Sequence, residues 1–276
     1  MPKPGAGARA LPRPALEARD EIGSLIAGRR VALLLDYDGT LTPIVDNPGK
    51  AVLAEEMRSA VRELTWRAPV AVISGRDLED VARLVGIKSI VYAGSHGFDM
   101  RFPGGRRVEH ARGAEYLSDI DAAEQELRGR LRGVTGARVE RKRFAIAAHC
   151  RRVQPADVPT VEAVVDSVLR RHPKLRKTSG KKVFELRPAV HWHKGSAVLW
   201  LLRTIEMDDV LPVYIGDDET DEDAFNALSD RGVTIAVQSA AQPTAARFSL
   251  ADTGEVLRFL EWLALAISPK EAPPAA

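Results

Sequence analysis

Residues 31–44 read Val-Ala-Leu-Leu-Leu-Asp-Tyr-Asp-Gly-Thr-Leu-Thr-Pro-Ile. Val31–Leu35 is apolar without alternation, which predicts a strand covered on both faces, as in a parallel sheet. The run ends on Asp36-Tyr37-Asp38-Gly39-Thr40. Residues i and i+2 of an extended segment point the same way, so Asp36 and Asp38 can face one pocket. A carboxylate there can attack phosphorus while a second one shuttles the proton. Gly39 lets the chain turn sharply and bring backbone N–H groups near an anion, and Thr40 adds a hydroxyl. Asp, Gly and Thr are also ordinary turn residues, so a plain strand-to-loop turn fits this stretch taken alone.

The same pattern returns further along the chain. Val70–Ile73 is a second buried run; it ends at Ser74-Gly75-Arg76, and Asp77 can cap a helix near Leu78–Leu84. Ile90–Tyr92 leads into Gly94-Ser95-His96-Gly97. Later, a helical pattern over Gly195–Ile205 precedes the strand Leu211–Ile215, which runs into Gly216-Asp217-Asp218. Helix Asp221–Leu228, strand Val233–Val237 and helix Glu255–Ile267 follow. Strands alternating with helices predict an α/β fold with a doubly wound, Rossmann-like parallel sheet. Such sheets bind ligands beyond the carboxyl ends of their strands.

The middle of the chain reads differently. Helices are expected over Ala114–Leu131 and Val158–Arg171, and strands over Arg138–Glu140, Phe144–Cys150 and Val183–Leu186. The core is therefore expected to be discontinuous, residues 21–106 and 191–268, with a small α+β module inserted at 107–190. Residues 1–20 and 269–276 are rich in Ala and Pro and read as a flexible leader and tail. Charge divides along the same lines. Residues 101–187 hold 21 Lys and Arg against 11 Asp and Glu, whereas the rest holds 19 against 27. An acidic module suits a divalent cation, and a basic one attracts an anionic substrate.

Composition excludes several classes. An apolar fraction of 45% is that of a globular protein, not a disordered one. No apolar run reaches transmembrane length and the N-terminus has no signal-peptide h-region, so a membrane role is not expected and the cytoplasm is the default location. The single cysteine, Cys150, leaves no disulfide framework within the chain and no Cys-rich zinc site. It has no motif partner and reads as a packed core thiol.

Two further elements suit a phosphate pocket. Ser74, with Gly75 and Arg76, precedes a helix N-terminus, where anions are favoured. Lys194 opens a predicted helix, and a lysine aimed at a phosphoryl group stabilises charge in the transition state. The acidic run from Asp217 to Asp223 offers hard oxygen ligands of the kind Mg²⁺ prefers. An acidic first helical turn explains it equally well, Asp221 and Glu222 in particular. His96 can reach the same cleft, and a structural loop role also fits.

The set strand-DxDGT, strand-Ser-Gly, Lys-Gly and strand-Gly-Asp-Asp, in this order, resembles the haloacid dehalogenase superfamily of phosphotransferases. Asp36–Ile44, Gly94–Gly97 and Gly216–Phe225 resemble more narrowly the trehalose-6-phosphate phosphatases within it. So do Glu140-Arg141-Lys142, His149-Cys150-Arg151 and Gly180–Pro188 in the insert, with Cys150 standing where that family usually has Tyr. The resemblance implies Asp36 as the nucleophile and Asp38 as the acid and base. It implies phosphate held by Ser74 and Lys194, with Thr40 contributing to the cradle; Gly75, Arg76 and His96 are further substrate-binding candidates. It further implies Mg²⁺ on Asp36, the Asp38 carbonyl, Asp217 and Asp218. The insert would be a type-2 cap whose Glu140, Lys142, Arg151, Lys181 and Glu185 contact the substrate.

The expected activity is Mg²⁺-dependent hydrolysis of trehalose 6-phosphate, a small-molecule reaction without nucleic acid or membrane, by a monomer. The alternatives are a phosphatase for sucrose phosphate or mannosylglycerate phosphate, or a catalytically silent sugar-phosphate sensor. A sensor would need one of Asp36, Asp38, Lys194 or Asp217 replaced, and all four are present. A nucleic-acid module in the basic insert lacks interleaved aromatic residues and mixes its charge signs.

Overall fold

The computed structural model describes residues 11–45, 48–110, 113–180, 182–204 and 210–268. In chain order the strands are β1 (Arg13–Pro14), β2 (Val31–Leu35), β3 (Val70–Ile73), β4 (Val91–Gly94), β5 (Asp99–Arg101), β6 (Arg107–Glu109), β7 (Arg138–Lys142), β8 (Ala145–His149), β9 (Leu175–Gly180), β10 (Val183–Pro188), β11 (Leu211–Gly216), β12 (Val233–Val237) and β13 (Phe248–Leu250). The helices are α1 (Arg19–Ile26), α2 (Glu55–Thr65), α3 (Leu78–Val85), α4 (Leu117–Leu131), α5 (Val158–Leu169), α6 (Lys194–Thr204), α7 (Glu219–Leu228) and α8 (Thr253–Ala266). They fall into two compact units, one carrying the chain up to Arg107 and from Trp192 onward, the other Val108–His191.

The first unit is built on one sheet in the order β1-β13-β12-β11-β2-β3-β4-β5-β6. All five residues of β2 are buried, as an uninterrupted apolar run requires in a central strand. Leu33, Leu35, Val213 and Ile215 pack in one cluster with residues of α1, α2, α3 and α8. Alternate side chains point to the opposite face, where α6 packs on α7 and α7 meets β11 and β12. From β1 to β4 the neighbours are parallel; β5 turns back antiparallel to β4, a hairpin extension that the βα rhythm does not announce.

Register then places the site. Leu35 of β2 pairs with Ile215 of β11, and the Asp36 amide donates to the Ile215 carbonyl at 2.9 Å. Both strands therefore end level, and Asp36 emerges beside Gly216-Asp217.

The expected flexible leader needs correction within its described part. Arg13–Pro14 pairs in parallel with Phe248–Ser249, and Ala15 is fully buried. The amides of Arg13 and Ala15 donate to Arg247 and Ser249. Pro14, which has no N–H, falls between them and is tolerated at a sheet edge. Helix α1 begins at Arg19, also inside the expected leader. Residues 1–10 and the expected tail at 269–276 lie outside the described residues.

The second unit is an antiparallel sheet, β7-β8-β10-β9, with α4 and α5 on one face. Ile120 and Leu127 of α4 and Val161 and Val165 of α5 pack with Val139, Ile146 and Leu186 of the sheet. Cys150 is buried in that same cluster, and its burial pushes the thiol pKa up. The opposite face presents rows set by register: Glu140, Ala147, Glu185 and Thr178 lie side by side across the four strands.

Candidate active site

The turn after β2 is shaped by Gly39, whose φ of +85° lies in the left-handed region. A Cβ there would stand 2.1 Å from Asp217 Oδ2, so only glycine lets the chain pass this close to that carboxylate. The Gly39 amide donates to the Thr42 carbonyl, and the Leu41 and Thr42 amides to that of Tyr37. Thr40 is fully buried, and its Oγ1 has no hydrogen-bond partner among the described residues. An unsatisfied buried hydroxyl is costly unless a ligand completes it.

Asp36 is 4% exposed and Lys194 is 3% exposed. Lys194 Nζ donates to Asp36 Oδ1 at 2.6 Å and to Asp221 Oδ1 at 2.7 Å. Asp221 Oδ1 also accepts from Tyr214 Oη at 2.5 Å, and its Oδ2 from the Asp218 amide at 3.0 Å. Burial pushes the Asp36 carboxyl pKa up; Lys194 opposes that, while Asp221 and Asp217 add to it. Burial alone would lower the Lys194 pKa, but Asp221 and Asp36 more than offset it, and the net direction is up. Lysine thus stays an ammonium ion next to the nucleophile candidate.

Asp221 reads from the sequence equally well as a helix-dipole acid and as part of a cation site. It is fully buried and anchors the lysine. The spacing of the acidic run gives no sign of this, because the partner is 27 positions away. Carboxylate oxygens of Asp36, Asp217 and Asp221 come within 4.8 Å of one another. Hard oxygens this close, in a pocket bounded by the Gly39 turn, fit a small divalent cation. Since Lys194, Tyr214 and the Asp218 amide already engage both Asp221 oxygens, the natural ligand pair is Asp36 with Asp217. Asp218 stands outside this carboxylate group: it is exposed, and its side chain caps α7 in a reciprocal capping box with Asp221.

Arg76 is engaged by two carboxylates. Its Nε and Nη2 grip both oxygens of Asp38 at 2.7 and 2.6 Å, and its Nη1 holds Asp80 at 2.8 Å. The guanidinium lies 5.4 Å from the centre of the Tyr37 ring. Burial pushes the Tyr37 phenol pKa up to about 12. Ser74 is buried and its Oγ accepts from the Arg76 amide, while its carbonyl accepts from the His96 amide. Ser95 and His96 have φ of 49° and 57°. Two successive non-glycine residues in the left-handed region are strained, a feature that clusters at functional sites. A Cβ on Gly75 would meet the His96 ring at 2.7 Å, so glycine is what admits the imidazole there.

The second unit brings together Glu140, Lys142 and Glu185 on one sheet face. Lys142 Nζ donates to Glu185 Oε1 at 2.7 Å, and Glu140 Oε2 contacts His149 Nε2 at 2.9 Å. The His149 contact lowers the Glu140 pKa against the effect of burial. Two residues that sequence reasoning missed complete this group. Arg187 meets Glu185 Oε2 at 2.8 Å, and Thr178 accepts from Arg187. Arg151 is exposed at the turn following β8. Lys181 lies outside the described residues.

A solved haloacid dehalogenase-like hydrolase from Bacteroides thetaiotaomicron superposes with a TM-score of 0.61 at 15% identity, covering 85% of this chain and all of its own, a likeness of fold alone. The C-terminal domain of the C. albicans trehalose-6-phosphate phosphatase is more similar. Its TM-score is 0.79 at 25% identity, over 94% of this chain and 99% of that one. The trehalose-phosphatase family model matches residues 34–254. A probable trehalose-phosphate phosphatase 2 of Oryza sativa subsp. japonica is 41% identical over 275 residues, 91% of this chain and 72% of its own. The chain belongs to the trehalose-phosphatase family.

Proposed function

We propose that this protein hydrolyses trehalose 6-phosphate to trehalose and phosphate through a phosphoryl group carried on Asp36. The observation that carries the reading is the buried contact of Lys194 with Asp36, level with Asp217 at the ends of β2 and β11. The Asp36 carboxylate attacks phosphorus, and the bond to the sugar oxygen breaks as Asp38 protonates that oxygen. Asp38 then takes a proton from water, whose oxygen attacks phosphorus; the acyl-phosphate P–O bond breaks and Asp36 is regenerated. Lys194, Ser74 and the turn at Gly39-Thr40 hold the phosphoryl oxygens, with Gly75 and His96 shaping the wall beside them. Arg76 fixes where the Asp38 carboxyl stands. Asp36, Asp217 and the Asp38 carbonyl would hold Mg²⁺, which when bound offsets charge building on the phosphoryl oxygens. Asp218 supports this set by fixing the start of α7.

Sugar recognition falls to Val108–His191. Glu140, Lys142, Arg151, Lys181 and Glu185 supply the donors and acceptors that a disaccharide's hydroxyls require. No described helix is long and apolar enough to cross a membrane. The reading is of a cytoplasmic monomer acting on a free small molecule. The deciding experiment is phosphate release from a panel of sugar phosphates, with Mg²⁺ and with excess EDTA. EDTA-sensitive release confined to trehalose 6-phosphate is expected. Release from other sugar phosphates instead would keep the chemistry and remove the substrate. No release at all would remove both.

A further inference from the structure

We infer that Arg187, braced by Thr178, is a positioning residue that sets the Glu185 carboxylate for sugar recognition. The inference rests on the proposed reading that Glu185 contacts the sugar. Glu185 and Arg187 are two residues apart on β10, so they share one face of the sheet, and Thr178 pairs with Glu185 from the neighbouring β9. Each Glu185 oxygen receives a different cation: Lys142 Nζ reaches Oε1 at 2.7 Å, and Arg187 Nε reaches Oε2 at 2.8 Å. The arginine is held in turn. Its Nε and Nη2 both donate to Thr178 Oγ1, at 3.0 and 2.7 Å. Glu185 and Arg187 are 7% and 8% exposed, so neither has room to swing freely.

A lone carboxylate on a strand turns about its side-chain bonds. With one cation fixed on each oxygen, the plane of this carboxylate is set, and the acceptor positions it offers a hydroxyl are set with it. Lysine at 187 supplies charge but not the paired N–H groups by which Arg187 holds Thr178 while its guanidinium lies beside Glu185. The brace is local to β9 and β10, and its action on substrate passes through Glu185 alone.

The test compares kcat and KM for trehalose 6-phosphate and for p-nitrophenyl phosphate, a small ester without a sugar, in R187Q, R187K, T178V, E185A and the double variant R187Q/E185A. Thermal unfolding of each confirms that it folds. R187Q is expected to lower the ratio of the two kcat/KM values about tenfold, mostly through KM for the sugar phosphate. T178V and R187K are expected to lower it about threefold. In the E185A background, R187Q is expected to add less than about twofold. If R187Q multiplies the E185A loss in full, Arg187 acts independently of Glu185 and the inference fails, with the sugar-binding reading intact. Equal losses on both esters would make Arg187 merely structural. A ratio unmoved by E185A itself would remove the sugar role of Glu185 and the inference with it. Should R187Q not fold, T178V and R187K carry the comparison, and an unchanged ratio in both overturns it.

Discussion

Asp221 has no freedom of position, because both of its carboxylate oxygens are engaged. It is fully buried against Lys194 and Tyr214, and among the described residues the lysine would keep Asp36 as its one carboxylate partner if Asp221 were lost. Asp221→Ala is expected to cost about 3–5 kcal/mol in chemical denaturation, the usual penalty for stranding one partner of a buried pair. Tyr214→Phe removes one neutral donor to that carboxylate and is expected to cost about 1–3 kcal/mol. Asp36→Asn tests a different property. The variant should fold and bind substrate yet lose at least about 10³-fold in kcat; substantial residual turnover would remove Asp36 as the nucleophile. Much of this candidate site could be read from residue types and their places: Asp36, Asp38 and Ser74 follow the ends of parallel strands, and Lys194 opens α6. Asp221 and the Arg76–Asp38 clamp could not, because each is defined by a partner distant along the chain. Arg76 reaches back 38 positions to Asp38, and no local pattern encodes that.

At the scale of elements, legibility follows burial. β2, β3, β11 and β12 are buried along their whole length and almost wholly apolar, because helices cover both faces, and such runs stand out in a sequence. β1, β5 and β13 are two or three residues long and depend on neighbours for their pairing, so their sequences carry no period. β9 reads Leu-Arg-Lys-Thr-Ser-Gly and hides as a polar loop because its side chains are mostly half-exposed. Leu33 is at the centre of β2 and fully buried. Leu33→Ala is expected to lower stability by about 2–5 kcal/mol, read from a urea midpoint. Asp218→Ala removes the cap of α7 and is expected to cost about 1 kcal/mol by the same measurement. An unaltered midpoint would show that the start of this helix is held by Asp221 alone.

For the whole molecule, the division into two units gives a third kind of expectation. Val108–His191 has its own sheet, its own pair of helices and its own buried cluster. A polypeptide of residues 108–191 is expected to unfold cooperatively on heating, as an autonomous domain does. A gradual, non-cooperative melt would show that its core needs the rest of the chain. The other unit is in the opposite position, because its central sheet is completed only by residues on the far side of the insert. Asp36 and Lys194 are separated by 158 positions. A ribosome adding roughly 5–20 residues per second leaves the nucleophile waiting about 8–32 s for its lysine. Throughout that interval β2 has emerged without β11, one of its two neighbours in the finished sheet. A nascent chain stalled anywhere in the insert is therefore chemically inert and exposes a sticky apolar edge, so the finished fold depends on synthesis that does not pause there.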